Sequence, residues 1–176
     1  QVAHVDSLAP TTVAPAGMRA RLVAHFLPKF DNQSEGVRLT DGQPDACRCL
    51  LVSKKHSGSL VMAPPFYSKN GSANKYSRLG ELILREHFRA VWPDEPPDAA
   101  FDRWWDHSAR ASLTYAFECV APRVLGDHGA TPRAAYMVLT CVAHTASGTI
   151  LSPAAMLGLA TAWRLPLNEA WFVPWE

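Results

Sequence analysis

The order of periodic segments along the chain is the feature that most constrains its fold. Alternating or continuously apolar runs predict strands over residues 19–26, 47–53, 60–62, 113–120, 135–143 and 171–173. Apolar residues three and four apart predict helices over residues 76–92 and 98–107, and Ser152 followed by Pro153 starts another. Because the strands come in groups, we predict an α+β fold with mostly antiparallel sheets and flanking helices.

Composition limits the size and the partners of the chain. Its 176 residues with 48% hydrophobic content allow a domain with a core and exclude disorder throughout. A formal net charge of +1 excludes a globally basic nucleic-acid wrapper, although not a local basic cleft. No apolar run approaches the roughly 20 residues that a membrane-spanning helix needs, so we expect no membrane partner.

The two ends of the sequence differ from its middle. Residues 1–17 are rich in Ala, Pro, Thr and Val without periodicity, and we predict a linker or frayed lead-in there. Residues 18–176 form the predicted domain. Because the chain starts at Gln1 rather than Met and stops after Glu176 without a tail, we expect a piece of a longer protein.

The four cysteines favour an intracellular protein with reduced thiols. Cys47 and Cys49 stand two apart on a predicted strand, whereas Cys119 and Cys141 are isolated. Because no His or Cys follows at zinc-finger spacing, we predict no zinc site at these cysteines and assign no residue as a metal ligand. We interpret the four side chains as reduced, partly buried thiols.

A lysine between two predicted strands is the first candidate for chemistry. Lys55 would point from a strand end into a cleft, and Gly58 would allow a ligand to approach the backbone. Lysine is a nucleophile only as the neutral amine, which burial or a nearby cation favours, but Lys54 should face the other way. The alternative, favoured for so short a pattern, is a polar hairpin with two solvated lysines.

An acidic residue inside an apolar strand is the second candidate. Glu118 lies on the face opposite Phe117, and a carboxylate in such a strand is uncommon without a partner. It could accept hydrogen bonds from a ribose hydroxyl or steady a metal. The alternative, favoured by the sequence alone, is an edge-strand carboxylate paired with Arg or Lys.

Three further groups have simpler interpretations. Asp127 and His128 lie in a Gly-bounded loop, which we interpret as a turn because no third metal ligand stands at usable spacing. Residues 67–71 form a polar, basic loop that either touches phosphate or is a solvated turn. Four tryptophans are interpreted as core anchors rather than base-stacking platforms: Trp104, Trp105, Trp163 and Trp171.

Several segments, taken in order, resemble one protein family. They are KKHSGSLVM, YSKNGS, the helix ending in FRAVW, FECVAPRVLGDHGATPRAAYMVLTCV and ATAWRLPLNEAWFV. Their order over roughly residues 47–173 is specific, and the chain resembles the adenylyltransferase part of plant-type tRNA ligase, a multifunctional RNA-repair enzyme. The segment FLPKFDN near residue 26 extends the resemblance.

The resemblance implies a fold and a reaction. The implied fold is that of the nucleotidyltransferases, which include the ATP-dependent ligases, and the implied substrates are ATP and tRNA exon halves. Lys55 would attack the α-phosphate of ATP and become lysyl-AMP, with Mg²⁺ or Mn²⁺ assisting the departure of pyrophosphate. The AMP would then pass to an RNA 5′-phosphate, from which a 3′-hydroxyl end displaces it.

The resemblance also implies which residues bind the nucleotide. Glu118 matches a strand glutamate that binds the ATP ribose, and residues 136–140 match a strand that walls the adenine pocket. Ser57 stands where the usual K-x-D-G motif has Asp, as in the plant-type subgroup. Lys69 and Asn70 match a segment near the phosphates or the RNA end. The implied nucleotide-binding set is Lys55, His56, Ser57, Gly58, Lys69, Asn70 and Glu118.

Other parts of this family have no counterpart in the sequence. The later glutamate strand and the phosphate-binding lysine pair do not follow, and neither the kinase P-loop nor the paired H-x-T/S signature of the cyclic phosphodiesterase is present. We therefore expect a fragment, weakly active or inactive alone, whose intact form carries the remaining ligase, kinase and cyclic phosphodiesterase parts. The implied location is nucleus, cytoplasm or plastid.

Two other classes of function stay open at this point. A non-catalytic RNA-binding module derived from a ligase domain is one, although a net charge near zero counts against strong non-specific RNA binding. An unrelated enzyme that uses Lys55 as a Schiff-base lysine is the other, and no partner residue supports it.

Overall fold

The computed structural model describes residues 49–68, 71, 74–125 and 134–174 of the chain. This part is α+β, its strands pair antiparallel and helices flank them, so that prediction is confirmed, whereas the nucleotidyltransferase fold stays a prediction. The predicted lead-in at residues 1–17 and strand at 19–26 lie outside the described residues. The elements are β1 (Cys49–Ser53), β2 (Ser59–Ala63), β3 (Tyr67–Ser68), α1 (Lys75–Val91), α2 (Ala99–Arg110), β4 (Leu113–Val120), α3 (Pro122–Leu125), β5 (Tyr136–His144), α4 (Pro153–Ala162) and β6 (Ala170–Pro174).

A four-stranded antiparallel sheet in the order β3-β2-β4-β5 organises the core. Side chains alternate along β4, so that Tyr115, Phe117 and Cys119 are fully buried on one face, which confirms the predicted alternation. Glu118 lies on the other face, where it is opposite Leu60 of β2. Since β4 pairs with both β2 and β5, it is an interior strand.

Helices α1 and α2 cover the aromatic face of this sheet. The Asn74 side chain caps α1 by accepting hydrogen bonds from the backbone of Tyr76 and Ser77 at 2.9 and 3.1 Å. Phe88 on α1 and Trp104 on α2 then pack together in the core with ring centroids 5.5 Å apart. These two helices confirm the predicted stripes, and they leave the opposite face of the sheet for a different neighbour.

Strands β1 and β6 form a second, two-stranded sheet, which we call the ribbon. Its apolar side chains are largely exposed, with Trp171 at 52% and Phe172 at 70%. The prediction that Trp171 is a core anchor is therefore wrong, because no further layer of described residues covers the ribbon. Trp104 is fully buried, and Trp105 and Trp163 pack against the core as predicted.

The remaining elements agree with the sequence pattern except in two short pieces. Ser152 caps α4 by accepting from the Ala155 backbone at 3.3 Å, as its position before Pro153 predicts. The sequence pattern predicts neither β3 nor α3, each of which is four residues or shorter. In the described part of the chain, none of the helices combines the length and the apolar character needed to cross a bilayer.

Candidate functional site

The segment from Lys54 to Gly58 crosses from the ribbon to the four-stranded sheet. Strand β1 pairs with β6, whereas β2 pairs with β3 and β4, so the predicted alternative of a polar hairpin between β1 and β2 is wrong. The Lys54 ammonium pairs with the Glu169 carboxylate at 3.0 Å. Lys55 is exposed, and its ammonium makes no hydrogen bond or ion pair with any described residue. The two adjacent lysines therefore differ within the described part of the chain: Lys54 has an ion-pair partner there and Lys55 has none.

Gly58 marks the point where this segment meets the four-stranded sheet. A Cβ atom at Gly58 would lie 2.9 Å from the carbonyl carbon of Cys119 and 3.1 Å from Val120 Cγ2. The backbone of β4 thus makes a close approach that the glycine permits, and the approach of a ligand at Gly58 stays a prediction. Since Cys119 follows Glu118 directly, this contact fixes the Lys55 segment beside the strand that carries the second candidate.

Glu118 is half-buried on an interior strand, so the predicted alternative of an edge-strand carboxylate is wrong. Its cross-strand neighbours are Leu60 and Val138, both on the face that the helices do not cover. The carboxylate takes part in an interaction within the protein. Tyr136, the first residue of β5, lies two residues before Val138 and therefore belongs to the same face of the sheet.

His56 connects the Lys55 segment to two distant parts of the chain. Its Nδ1 lies 2.9 Å from the Tyr136 hydroxyl, and its Nε2 lies 2.9 Å from Asn168 Oδ1. The Asn168 amide nitrogen donates to the Lys54 carbonyl at 2.9 Å. Because Asn168 presents its oxygen to the ring, Nε2 carries the proton in the neutral imidazole and Nδ1 accepts from Tyr136. Both ring nitrogens are thus occupied within the protein.

Asn168 is the residue of this corner that the sequence patterns did not single out. It lies in the W-R-L-P-x-N string that contributes to the family resemblance, and that string is the signal that could have drawn attention to it. The segment before it is tied to β5, because the Leu139 backbone donates to the Pro166 carbonyl at 2.7 Å. Asn168 is therefore held beside the Lys55 segment although the two are far apart in sequence.

The thiols of Cys119 and Cys141 are buried and partly buried, and burial favours their unreactive protonated form. Burial raises the pKa of Cys119 to about 11, and the negative charge of the neighbouring Glu118 adds to this shift. Burial likewise raises the pKa of Cys141 to about 11. Both are free thiols, Cys119 buried and Cys141 partly buried, in agreement with the interpretation as reduced, partly buried thiols, and Cys47 lies outside the described residues. They contribute packing rather than nucleophilic chemistry.

Several predicted residues cannot be placed at the site. Lys69, Asn70, Asp127 and His128 all lie outside the described residues. Ser68 and Gly71, the residues on either side of Lys69 and Asn70, exchange two backbone hydrogen bonds of 3.0 and 2.9 Å. Across the described ranges, no group of three or more His, Cys, Asp or Glu side chains is arranged to hold a metal ion. The site as described therefore consists of Lys55 with its neighbours and Glu118.

Comparison with known proteins places this geometry in context. The chain is 32% identical to tRNA ligase 1 of Arabidopsis thaliana in an alignment 164 residues long that covers 86% of the chain. The same alignment covers only 14% of the length of that relative. No protein-family model matches the chain. The similarity thus concerns a small part of a much longer protein.

Proposed function

Since the chain belongs, over its aligned residues, to the tRNA ligase family, we propose that it is part of an ATP-dependent RNA ligase with Lys55 as the nucleophile. The observation that carries this proposal is the exposed Lys55 side chain, whose amine has no partner among the described residues and which lies between anchored neighbours beside the strand of Glu118. The proposed substrates are ATP and the RNA ends of tRNA exon halves. The intact protein is proposed to carry the further ligase, kinase and cyclic phosphodiesterase parts.

The proposed chemistry begins with an attack by the neutral Lys55 amine on the α-phosphorus of ATP. A phosphorus–nitrogen bond forms, the bond from the α-phosphorus to the bridging oxygen breaks, pyrophosphate leaves, and the amine loses a proton to solvent. An RNA 5′-phosphate oxygen then takes the AMP and restores the lysine. Finally an RNA 3′-hydroxyl attacks that 5′-phosphorus, the two ends become joined, and AMP is released.

Two features of the described residues fit an adenosine nucleotide at this corner. Glu118 presents a half-buried carboxylate on the face of the sheet opposite α1 and α2, suited to accept hydrogen bonds from ribose hydroxyls. Strand β5 supplies Tyr136 and Val138 on the same face, as a wall for an adenine base. Mg²⁺ or Mn²⁺ would supply charge neutralisation on the departing pyrophosphate.

A labelling experiment tests this proposal directly. Purified protein is incubated with ATP labelled at the α-phosphate and with Mg²⁺ or Mn²⁺, and the lysine-linked label is measured after denaturation. The Lys55→Ala variant should lose the label, whereas the Lys54→Ala variant, its matched control, should retain it because Lys54 is engaged with Glu169. Label that survives in Lys55→Ala would contradict the assignment.

The experiment is carried out on this chain and on the longer protein that is proposed to contain it. We expect weak or no label on the chain alone and a full signal in the longer protein. Multi-turnover sealing of RNA by the chain alone would contradict its proposed character as a fragment. Salt-dependent RNA binding with no label at either length would instead support a non-catalytic RNA-binding module.

A further inference from the structure

We propose that His56, Tyr136 and Asn168 act as positioning residues that set the direction of the Lys55 side chain. This inference rests on the proposed role of Lys55 as nucleophile. We call these three side chains the clasp. Both nitrogens of the His56 ring are engaged, at 2.9 Å from the Tyr136 hydroxyl and 2.9 Å from Asn168 Oδ1. The ring is therefore a structural link and has no nitrogen left for a direct bond to the nucleotide.

The backbone is held on both sides of Lys55. Before it, the Lys54 N–H donates to the Glu169 carbonyl at 3.0 Å and the Lys54 carbonyl accepts from Asn168 at 2.9 Å. After it, the His56 side chain is fixed by its two partners. Lys55 itself keeps an exposed side chain with no partner among the described residues. The clasp thus restricts the backbone conformation around Lys55, while the Lys55 side chain can still rotate.

The clasp also joins the two sheets where the nucleophile lies. Tyr136 opens β5 of the four-stranded sheet, whereas Asn168 lies shortly before β6 of the ribbon. The Tyr136 ring meets the His56 ring edge to face, with centroids 5.6 Å apart. Because the ribbon is largely exposed, these few bonds fix the Lys55 segment relative to the face that carries Glu118.

Positioning of this kind matters because the amine must approach the α-phosphorus opposite the departing pyrophosphate. A displacement of a reacting group by about 1 Å lowers a rate by up to about a hundredfold. The side chains of His56 and Asn168 would touch neither the phosphates nor the amine, and Tyr136→Phe keeps the ring proposed to wall the adenine. Loss of the clasp hydrogen bonds should therefore slow the attack without weakening the binding of ATP. A lower rate of attack with unchanged ATP binding distinguishes a positioning role from direct contact with the nucleotide.

The experiment measures the single-turnover rate of Lys55 labelling against ATP concentration, in the longer natural protein. His56→Ala should lower the maximal rate by roughly ten- to a hundredfold with the half-saturating ATP concentration unchanged. Tyr136→Phe, which keeps the ring and loses only the hydroxyl, should lower it less. Since both variants act through one ring, adding Tyr136→Phe to His56→Ala should cause no further loss.

A matched control and a second readout separate this role from general destabilisation. His144→Ala removes a histidine at the other end of β5, whose ring is hydrogen-bonded to Ser147 and to no other described residue, and should keep the wild-type rate. Amide hydrogen exchange should rise at residues 54–56 in His56→Ala and Asn168→Ala but not in His144→Ala. Equal thermal unfolding midpoints would exclude loss of the fold as the cause.

The outcomes are distinct for the two proposals. A His56→Ala protein that labels as fast as His144→Ala would overturn the clasp and leave Lys55 as the nucleophile. A raised half-saturating ATP concentration with an unchanged maximal rate would also overturn it, in favour of direct contact between His56 and the nucleotide. Label retained in Lys55→Ala would contradict the proposed function, and it would also contradict the positioning role of the clasp, which depends on that function.

Discussion

The four-stranded sheet and the ribbon differ in how deeply their side chains are buried. One face of the sheet is covered by two helices, and Trp104, Tyr115 and Phe117 on that side are fully buried. The ribbon has two strands, and its Phe172 is 70% exposed. A two-stranded sheet is marginal by itself in water, so the ribbon depends on its attachment to the rest of the molecule. The candidate nucleophile lies at that attachment.

This difference shows how rigidity and access are divided in the molecule. The sheet provides a stable face for Glu118, and the ribbon leaves the Lys55 side chain open to solvent. A lysine within the sheet core would be inaccessible to ATP, whereas a lysine on an untethered ribbon would be poorly aligned. Placing it between the two, with its backbone bonded on both sides, meets both requirements.

The largest effect that would sharpen this comparison is expected from core truncation. Trp104→Ala removes a fully buried indole and should lower the free energy of unfolding by about 3–5 kcal/mol. Trp171→Ala, the matched control on the ribbon, should cost less than half as much because the side chain is 52% exposed. Urea unfolding measures both. Similar losses for the two variants would mean that the ribbon is as well packed as the sheet.

The next effect concerns the contact between the Lys55 segment and β4. Gly58→Ala places a methyl group against the Cys119 carbonyl and should destabilise the protein by about 1–3 kcal/mol. Gly158→Ala is the matched control, because a Cβ there meets nothing within 4 Å and should add about 0.5–1 kcal/mol of helix stability. Thermal unfolding compares them. A Gly58→Ala variant with unchanged stability would show that the backbone at this junction can shift to accommodate the methyl group.

A smaller effect should appear as pH dependence. The pKa of Cys119 rises from an ordinary value of 9.0 to about 11 in the folded protein. The folded state therefore keeps a proton that the unfolded state releases, so the free energy of unfolding falls as pH rises from about 9 to about 11. By pH 10 this thiol alone should account for about 1 kcal/mol. Urea unfolding of wild type and Cys119→Ala at pH 8 and 10 isolates it, and parallel pH profiles would contradict it.

The smallest effect is expected for the ion pair on the ribbon side of the junction. Lys54 and Glu169 are about half exposed or more, at 49% and 62%, so water and salt screen their attraction. A double-mutant cycle with Lys54→Ala and Glu169→Ala should give a coupling below about 1 kcal/mol. Raising the salt concentration should reduce it further. A larger coupling would make the side chains, rather than the backbone bonds, the main tie between these segments.

Local sequence patterns predicted the elements well because the signals are local. The alternation along β4 identifies which side chains share the face with Phe117, and the stripe on α1 identifies Leu84 and Phe88 as buried, although both faces of β4 are in fact buried. Which strands become neighbours depends on contacts between distant segments, so β4 was not recognisable as interior and Trp171 was not recognisable as exposed. The predicted roles of Lys55 and Glu118 as nucleotide-binding residues remain predictions.

The corner around Lys55 illustrates the same limit for the site. Lys55 was a candidate from its position between strands, and the close approach at Gly58 was anticipated, although its partner is β4. The bonds from His56 reach residues 80 and 112 positions away, and no local spacing encodes them. Only the three-dimensional arrangement shows that Asn168 lies beside Lys54.

The pairing of β1 with β6 has a consequence during synthesis of the protein. The sheet strands and the helices between them emerge from the ribosome before Asn168, which lies 112 residues after its partner His56. Contacts of such long sequence separation form late, because a long loop must close first. A growing chain would therefore complete its core while Lys55 is still unrestrained. Under the proposed role of Lys55, a nascent chain that ends before Asn168 should therefore form no lysine-linked AMP.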